Sequence, residues 1–217
     1  MVYNRHAREG GVIEVVCGPM FSGKTEELIR RLRLARIAKQ RIQIFKPAVD
    51  NRYENEYITS HLDQKFLCSP IREAKDILSQ LADNTRVVGI DEAQFFEFDL
   101  IEVCEKLATR GLRVIVAGLD QDYLGNPFGP MPQLLAIADD LLKLKAVCMV
   151  CGGEAGKSQR LTGDTDQVVV GAGERYEARC RFCFDPDLSL ANSLPKTPVA
   201  TNKNGHLEMK SKVAQEG

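Results

Sequence analysis

Val12-Ile13-Glu14-Val15-Val16-Cys17-Gly18-Pro19-Met20-Phe21-Ser22-Gly23-Lys24-Thr25 is the stretch that decides the fold. Its first six residues are a strand-length, largely apolar run, and its last eight match G-x-x-x-x-G-K-[ST] at every fixed position. A helical pattern follows through Ala38, with Leu28, Ile29, Leu32 and Ala35 on one stripe. Gly18 and Gly23 let the backbone turn so that successive N–H groups point into one concavity, and the helix adds its positive N-terminal end there. Such a nest holds the oxygens of a nucleoside triphosphate. Gly18, Pro19, Met20, Phe21, Ser22, Gly23, Lys24 and Thr25 are the candidate cradle, with Lys24 reaching the β- and γ-phosphates and the Thr25 hydroxyl completing the shell of a Mg²⁺.

Working outward, apolar runs of strand length recur at Ile42 to Phe45, Val87 to Ile90, Val114 to Leu119 and Leu144 to Val147. They are mostly hydrophobic on both sides, as buried parallel strands are. Helical patterns lie between them at Ile71 to Leu81, Leu100 to Ala108 and Gln133 to Ala138. The alternation predicts an α/β domain over residues 12–147, a parallel sheet with helices on both faces. The run at Val87 to Ile90 ends in Asp91-Glu92. In phosphate-loop proteins such a strand lies beside the first, which brings Asp91 to the Mg²⁺ and leaves Glu92 facing whatever accepts the phosphoryl group.

The composition excludes several classes. With 217 residues, 44% hydrophobic and 27% charged, the chain has enough apolar surface for a sizeable core. Its 29 basic side chains are balanced by 30 acidic ones, so no global positive charge favours a nucleic acid or an anionic membrane, and neither is expected as a partner. The longest apolar stretches fall far short of the roughly 20 residues that span a bilayer. Met1 to Gly11, read as an N-terminal extension, carries no secretory pattern, and a cytoplasmic location is expected.

In a reducing compartment the seven cysteines are not a disulfide framework. Cys148-Met149-Val150-Cys151 and Cys180-Arg181-Phe182-Cys183 are two C-x₂-C knuckles, and four thiolates in paired turns suit a closed, structural tetrahedral Zn²⁺. The competing reading, a redox C-x-x-C, lacks its usual βαβ context. Cys17, Cys68 and Cys104 fall in apolar patterns and read as small core residues. Residues 148–187 therefore form a Cys₄ zinc module whose long insert, with a β-like run at Gln167 to Val170, carries a functional loop. Residues 188–217, poor in aromatics and rich in Lys, Asn, Ser and Thr, read as a disordered tail.

Phosphate loop, Asp-Glu strand and Cys₄ module, in that order, resemble the type II thymidine kinases. The finer motifs that carry the resemblance are Gly18 to Thr25, Asp50-Asn51-Arg52-Tyr53, Ser60-His61, Asp91-Glu92-Ala93-Gln94-Phe95-Phe96, Ala117-Gly118-Leu119-Asp120, Pro127-Phe128-Gly129 and Tyr176-Glu177-Ala178-Arg179-Cys180-Arg181. It spans about residues 12 to 184, with Leu124 standing where many members have Arg and Phe184 where His or Tyr is common. The resemblance implies a RecA-like phosphate-loop sheet and ATP-dependent phosphorylation of the 5′-hydroxyl of thymidine, with deoxyuridine as a further acceptor, in nucleotide salvage. It implies Glu92 as the base, Lys24, Thr25 and Asp91 managing phosphate and Mg²⁺, and Arg52 neutralising the transferred phosphoryl group. Met20, Gln94, Phe95, Phe128 and Tyr176 would form the nucleoside pocket, with Asp50 near the sugar. The Leu161 to Gly173 segment, including Val170 and Gly171, would close over the base. Feedback inhibition by thymidine triphosphate and a homotetramer are implied too.

A different class would use the same motifs as a zinc-ribbon ATPase acting on nucleic acid. Its ribbon should be basic, whereas Lys157, Arg160, Arg175, Arg179 and Arg181 are matched here by Glu154, Asp164, Asp166, Glu174 and Glu177. A nucleotide-gated binder without turnover would have no use for Glu92, a carboxylate beside the γ-phosphate whose natural task is to remove a proton.

Overall fold

The computed structural model describes residues 11–48, 66–161 and 175–188, together with the backbone of 57–59 and 65. The elements run β1 (Val12–Cys17), α1 (Lys24–Ile37), β2 (Ile42–Pro47), β3 (Tyr57–Thr59), β4 (Lys65–Leu67), β5 (Ser69–Ile71), α2 (Asp76–Gln80) and β6 (Val87–Ile90). A 3₁₀ turn (Ala93–Phe95), α3 (Asp99–Thr109), β7 (Arg113–Gly118), α4 (Met131–Ile137) and β8 (Asp140–Lys143) complete the larger part. Four short strands follow: β9 (Ala146–Val147), β10 (Glu154–Ala155), β11 (Lys157–Arg160) and β12 (Tyr176–Arg179).

Six strands pair in the order β5-β2-β6-β7-β1-β8, every pair parallel. Successive side chains of a strand face opposite ways, and the apolar runs supply both faces. Val16, Ile44, Val87, Ile115 and Ala117 meet Leu28, Ile29, Leu32 and Ala35 of α1 on one side. Ile13, Val15, Cys17, Phe45, Val88, Ile90, Val114 and Val116 meet Ile77 of α2, Leu100, Val103 and Leu107 of α3, and Met131 and Leu134 of α4 on the other. The expected α/β class, with helices on both faces of a parallel sheet, is what the chain adopts. Cys17, Cys68 and Cys104 are buried core residues, as their pattern indicates.

A buried carboxylate interrupts the apolar interior of this sheet. Glu14 of β1 is 2% exposed, and its carboxylate accepts from Arg113 (Nε, 2.7 Å; Nη2, 3.0 Å) and from Arg31 Nη1 (2.6 Å). Arg31, on the inward stripe of α1, also donates to Glu27 (2.8 Å) and Asp140 (3.0 Å), tying α1 to β8. Burial alone would raise the Glu14 pKa, but the hydrogen bonds and charge of Arg113 and Arg31 outweigh it and hold the carboxyl below its ordinary value.

The strand that ends in Asp91-Glu92 does not lie beside the first one as expected: β6 pairs with β2 and β7, and β7 stands between it and β1, so Asp91 reaches the loop across one intervening strand. Two expected elements differ as well. Ile71 closes the short edge strand β5, and the helix of that region is confined to Asp76–Gln80, because Ser69, Pro70 and Ile71 pair beside β2. Leu144 to Val147 is not the last strand of the sheet. That place belongs to β8, whose alternating half-exposed pattern marks an edge, while Ala146–Val147 pairs antiparallel with β10 beside the cysteines. The run at Gln167 to Val170 lies outside the described residues, as do Met1 to Gly10 and the tail beyond Leu188.

Candidate active site

Parallel strands end on the same edge, and that edge collects the chemistry. β1 runs into the glycine-rich loop, β6 into Asp91-Glu92, β7 into Leu119-Asp120, and β8 ends at Lys143, with Cys17 paired to both Gly118 and Lys143. Gly18 has φ +146°, and a Cβ there would lie 2.6 Å from the Leu144 carbonyl oxygen, so only glycine lets the chain leave β1 at this angle. Phe21 (φ 64°) and Gly23 (φ 84°) are left-handed, which turns the loop into the first turn of α1. The Pro19 carbonyl accepts from the Ser22 hydroxyl and from Lys24 Nζ, both at 2.8 Å, so the lysine lies across the loop. Burial lowers the Lys24 pKa, and the charges of Glu92, Asp91 and Asp120 oppose that shift.

Asp91 is buried, while Glu92 is exposed. The Thr25 hydroxyl donates to Asp91 Oδ2 (3.2 Å) and the Glu92 N–H to Asp91 Oδ1 (3.0 Å). Burial, reinforced by the neighbouring Glu92 carboxylate, pushes Asp91 up to about 7 against the pull of those donors and Lys24. A hydroxyl and a buried carboxylate held together at a phosphate loop are an oxygen donor set suited to Mg²⁺, and the ion's charge would favour the ionised form.

Glu92 adopts φ 53°, ψ 39°, a left-handed conformation uncommon for a residue with a side chain. This turn leads the chain from β6 into the 3₁₀ turn at Ala93–Phe95. Gln94, 2% exposed, fixes the result: its Nε2 donates to Glu92 Oε2 (2.6 Å) while its Oε1 accepts from the Leu119 N–H (2.9 Å). The Gln94 backbone is held as tightly, since Gly129 (φ +48°) packs so close that a Cβ would stand 2.3 Å from the Gln94 carbonyl oxygen. Phe95 and Phe128 meet edge to face, with ring centroids 5.5 Å apart.

The cysteines converge as their spacing indicates. One ligand atom from each of Cys148, Cys151, Cys180 and Cys183 lies within 4.8 Å of every other, and Cys151 Sγ and Cys180 Sγ are 3.8 Å apart. Tetrahedral thiolates at the usual zinc–sulfur distance would be about 3.8 Å apart, so the donor set fits Zn²⁺. Burial works against the Cys148 thiolate, yet the backbone N–H groups of Cys180, Cys151 and Val150 bring it down to about 6. Cys183, hydrogen-bonded to Cys180 and crowded by the other sulfurs, is pushed up to about 12. Four sulfurs this close need a cation before all can be anionic.

The hairpin β11–β12 joins this centre to the phosphate site. Ser158 Oγ accepts from the Met20 N–H (2.9 Å), so a backbone group of the loop is bonded to the cysteine-bearing region. Tyr176, 8% exposed, sits opposite Arg160 in the hairpin. Asp50, Arg52, Val170 and Gly171 lie outside the described residues.

Several functional neighbours carried no assigned role in the sequence. Asp120, 6% exposed, forms an ion pair with Lys143 (2.7 Å) beside the loop; its signal was the same as that of Asp91, an acid directly after an apolar strand. Ser158 and Arg160 had no such signal, because only the folded hairpin shows that their face is buried.

A glycine-rich phosphate loop on a parallel sheet, with one carboxylate bonded to the loop threonine and a second, exposed carboxylate held by Gln94 beside it, is the arrangement of a nucleotide-dependent phosphotransferase. The sequence model of the thymidine kinase family matches residues 11–184, and the chain belongs to that family. It is 54% identical over 195 residues to a thymidine kinase of Rhodothermus sp., covering 90% of this chain and 91% of that one. A thymidine kinase of Bdellovibrio bacteriovorus is 53% identical over 178 residues, 82% of this chain and 87% of that one. No helix among the described residues is long and apolar enough to cross a membrane.

Proposed function

We propose that this chain transfers the γ-phosphoryl group of ATP to the 5′-hydroxyl of thymidine, and of deoxyuridine, as an entry step of nucleotide salvage. The observation that supports the chemistry best is the Glu92 carboxylate, exposed on a left-handed turn and held at one oxygen by Gln94, next to the Phe95–Phe128 pair in the chain. Its remaining oxygen is available to accept the hydroxyl proton as the new O–P bond forms. Lys24 and the loop N–H groups hold the phosphates, and Thr25 with Asp91 holds the Mg²⁺, which neutralises phosphate charge when bound. Met20, Gln94, Phe95, Phe128 and Tyr176 receive the nucleoside, Asp50 the sugar, Arg52 the transferred phosphoryl charge, and the segment with Val170 and Gly171 covers the base. We divide the chain into a catalytic part over residues 12–147 and a zinc module over 148–187.

Thymidine triphosphate fits the same surfaces. The acceptor's 5′-oxygen must face the γ-phosphate of ATP, so a thymidine carrying its own phosphates spans both subsites and gains contacts otherwise divided between two molecules. We further propose a homotetramer in the cytoplasm, where reducing conditions keep four zinc-binding thiols and three buried ones intact. The test is direct: purified protein with ATP, Mg²⁺ and thymidine should yield thymidine 5′-monophosphate and ADP one for one. ADP formation that ignores thymidine would overturn the reading. Thymidine triphosphate should compete with thymidine and bind more weakly to Lys24→Ala in calorimetry, whereas inhibition non-competitive with thymidine would place the effector elsewhere.

A further inference from the structure

Strand β11 has an unusual composition for a buried element. Ser158, Gln159 and Arg160 are 5%, 0% and 0% exposed, and each is polar. Alternation along the strand assigns them to two faces. Gln159 looks outward to the segment after the last cysteine, where its amide accepts from the Asp185 N–H and donates to the Asp185 carbonyl, both at 2.8 Å. Ser158 and Arg160 share the other face, the one turned toward the α/β sheet: Ser158 bonds Met20 of the phosphate loop, and Arg160 reaches Tyr123 in the loop between β7 and α4.

Among the described residues, the guanidinium of Arg160 meets two tyrosines in different ways. Its plane carbon sits 3.5 Å from the centroid of the Tyr123 ring, a stacked cation–π contact. Its Nε and Nη2 both donate to the Tyr176 hydroxyl oxygen, at 3.0 and 2.7 Å. A guanidinium has donors only, so this fork occupies the acceptor capacity of the phenol and leaves the Tyr176 O–H as a donor. Tyr176 is thereby fixed in direction and in polarity, and β12 is bound through it to the same loop that carries Phe128 and Gly129.

We propose that Arg160 is a positioning residue for the acceptor: through the Tyr176 hydroxyl and the Tyr123 ring it sets the wall of the nucleoside pocket contributed by hairpin β11–β12. This rests on the reading of Tyr176 as a pocket residue. On this proposal Arg160 acts through Tyr176 and Tyr123, so its effect is on nucleoside binding and little on turnover. Lysine cannot replace it, since a single ammonium has no fork for the phenol and no plane for Tyr123.

The experiment is steady-state kinetics on the full chain with Arg160→Lys, Tyr176→Phe, the double variant, and Tyr176→Leu. Arg160→Lys and Tyr176→Phe should each raise the thymidine KM by about tenfold, the size of one lost hydrogen bond to a charged group, with the ATP KM unmoved and kcat reduced by less than about threefold. The double variant should be no worse than the worse single one, because both remove the same contact. A purely structural role would lower kcat through a smaller folded fraction and leave KM where it was. Additive KM effects in the double variant, or a wild-type KM in Tyr176→Phe, overturn the proposal; the latter decides it even if Arg160→Lys does not fold. If Tyr176→Leu raises the KM while Tyr176→Phe does not, the pocket reading survives and the role of Arg160 falls. If neither raises it, both fall.

Discussion

Replacing Glu92 by Gln isolates the proton transfer from everything else the residue does. Residue 92 must hold φ 53°, a strain that Glu and Gln bear alike. The Gln carbonyl oxygen can still accept from Gln94 Nε2, and the side chain is exposed, so stability should change by no more than about 0.5 kcal/mol. What vanishes is an acceptor for the hydroxyl proton. General-base removal is worth about 10²- to 10⁴-fold, or about 2.7–5.4 kcal/mol of barrier. A second consequence has the opposite sign. After burial, the Glu92 charge is the chief cause of the raised Asp91 pKa, so its loss lowers that pKa and leaves Asp91 ionised to lower pH. ATP·Mg²⁺ binding in the variant should accordingly hold up at least as well as wild type on the acid side of neutrality. Turnover from ADP release, melting temperature, and calorimetric ATP titrations at pH 6 and 8 read all three quantities. A kcat within about threefold of wild type would refute the role of Glu92 as base. A kcat lost together with ATP affinity would show that residue 92 belongs to the donor site.

Arg31→Met should lower unfolding stability by about 3 kcal/mol, because Glu14 loses a partner where water cannot replace it; a stability equal to wild type in urea would contradict the ion-pair network drawn through β1. Glu27 is held down to about 2, chiefly by the Arg30 hydrogen bond and against its burial, with Arg31 adding to the pull. A depressed carboxyl stabilises the fold above its unfolded pKa and loses that contribution as pH falls through the folded one. Glu27→Gln should therefore cost about 1 kcal/mol at pH 6, allowing for solvent screening, with the gap to wild type closing as pH drops below about 4.5. A gap that is constant or widens toward acid reverses the sign. The protein as purified should hold close to one Zn²⁺ per chain, and Cys180→Ser should lower the melting temperature and raise the thymidine KM together; zinc-free protein of undiminished stability would refute the structural role.

Much of the site could be read before folding because its chemistry is local. A phosphate nest needs eight contiguous residues, and a zinc knuckle needs four, so Gly18 to Thr25 and the two C-x₂-C pairs declare themselves. The core strands were legible for a related reason: a strand buried on both faces has to be apolar at nearly every position. The failures share one cause, dependence on a distant partner. Glu14 looks like an error in β1 until Arg113 and Arg31 are brought to it across 99 and 17 residues. β8 carries no continuous apolar signal because it is an edge, and the nearby apolar stretch at Leu144 to Val147 drew the assignment instead. Gln94 was singled out by resemblance alone. Its task of bridging Glu92 to the Leu119 N–H exists only once β6 and β7 lie side by side.

The hydrogen bond from the Met20 N–H to Ser158 makes two ligands that never meet answerable to each other. The bond joins the phosphate loop to β11; a triphosphate that orders the loop as it stands would favour Met20 facing β11, and a metal that orders β11 through the Cys₄ centre would favour the same arrangement. Coupling of this kind is reciprocal, so a nucleotide that gains affinity from the metal must lend the same factor back to it. At equilibrium a chelator would therefore take less zinc from protein saturated with ATP than from protein without nucleotide, and Ser158→Ala would abolish the difference. In a cell short of zinc, the copies engaged in turnover would be the last to lose it.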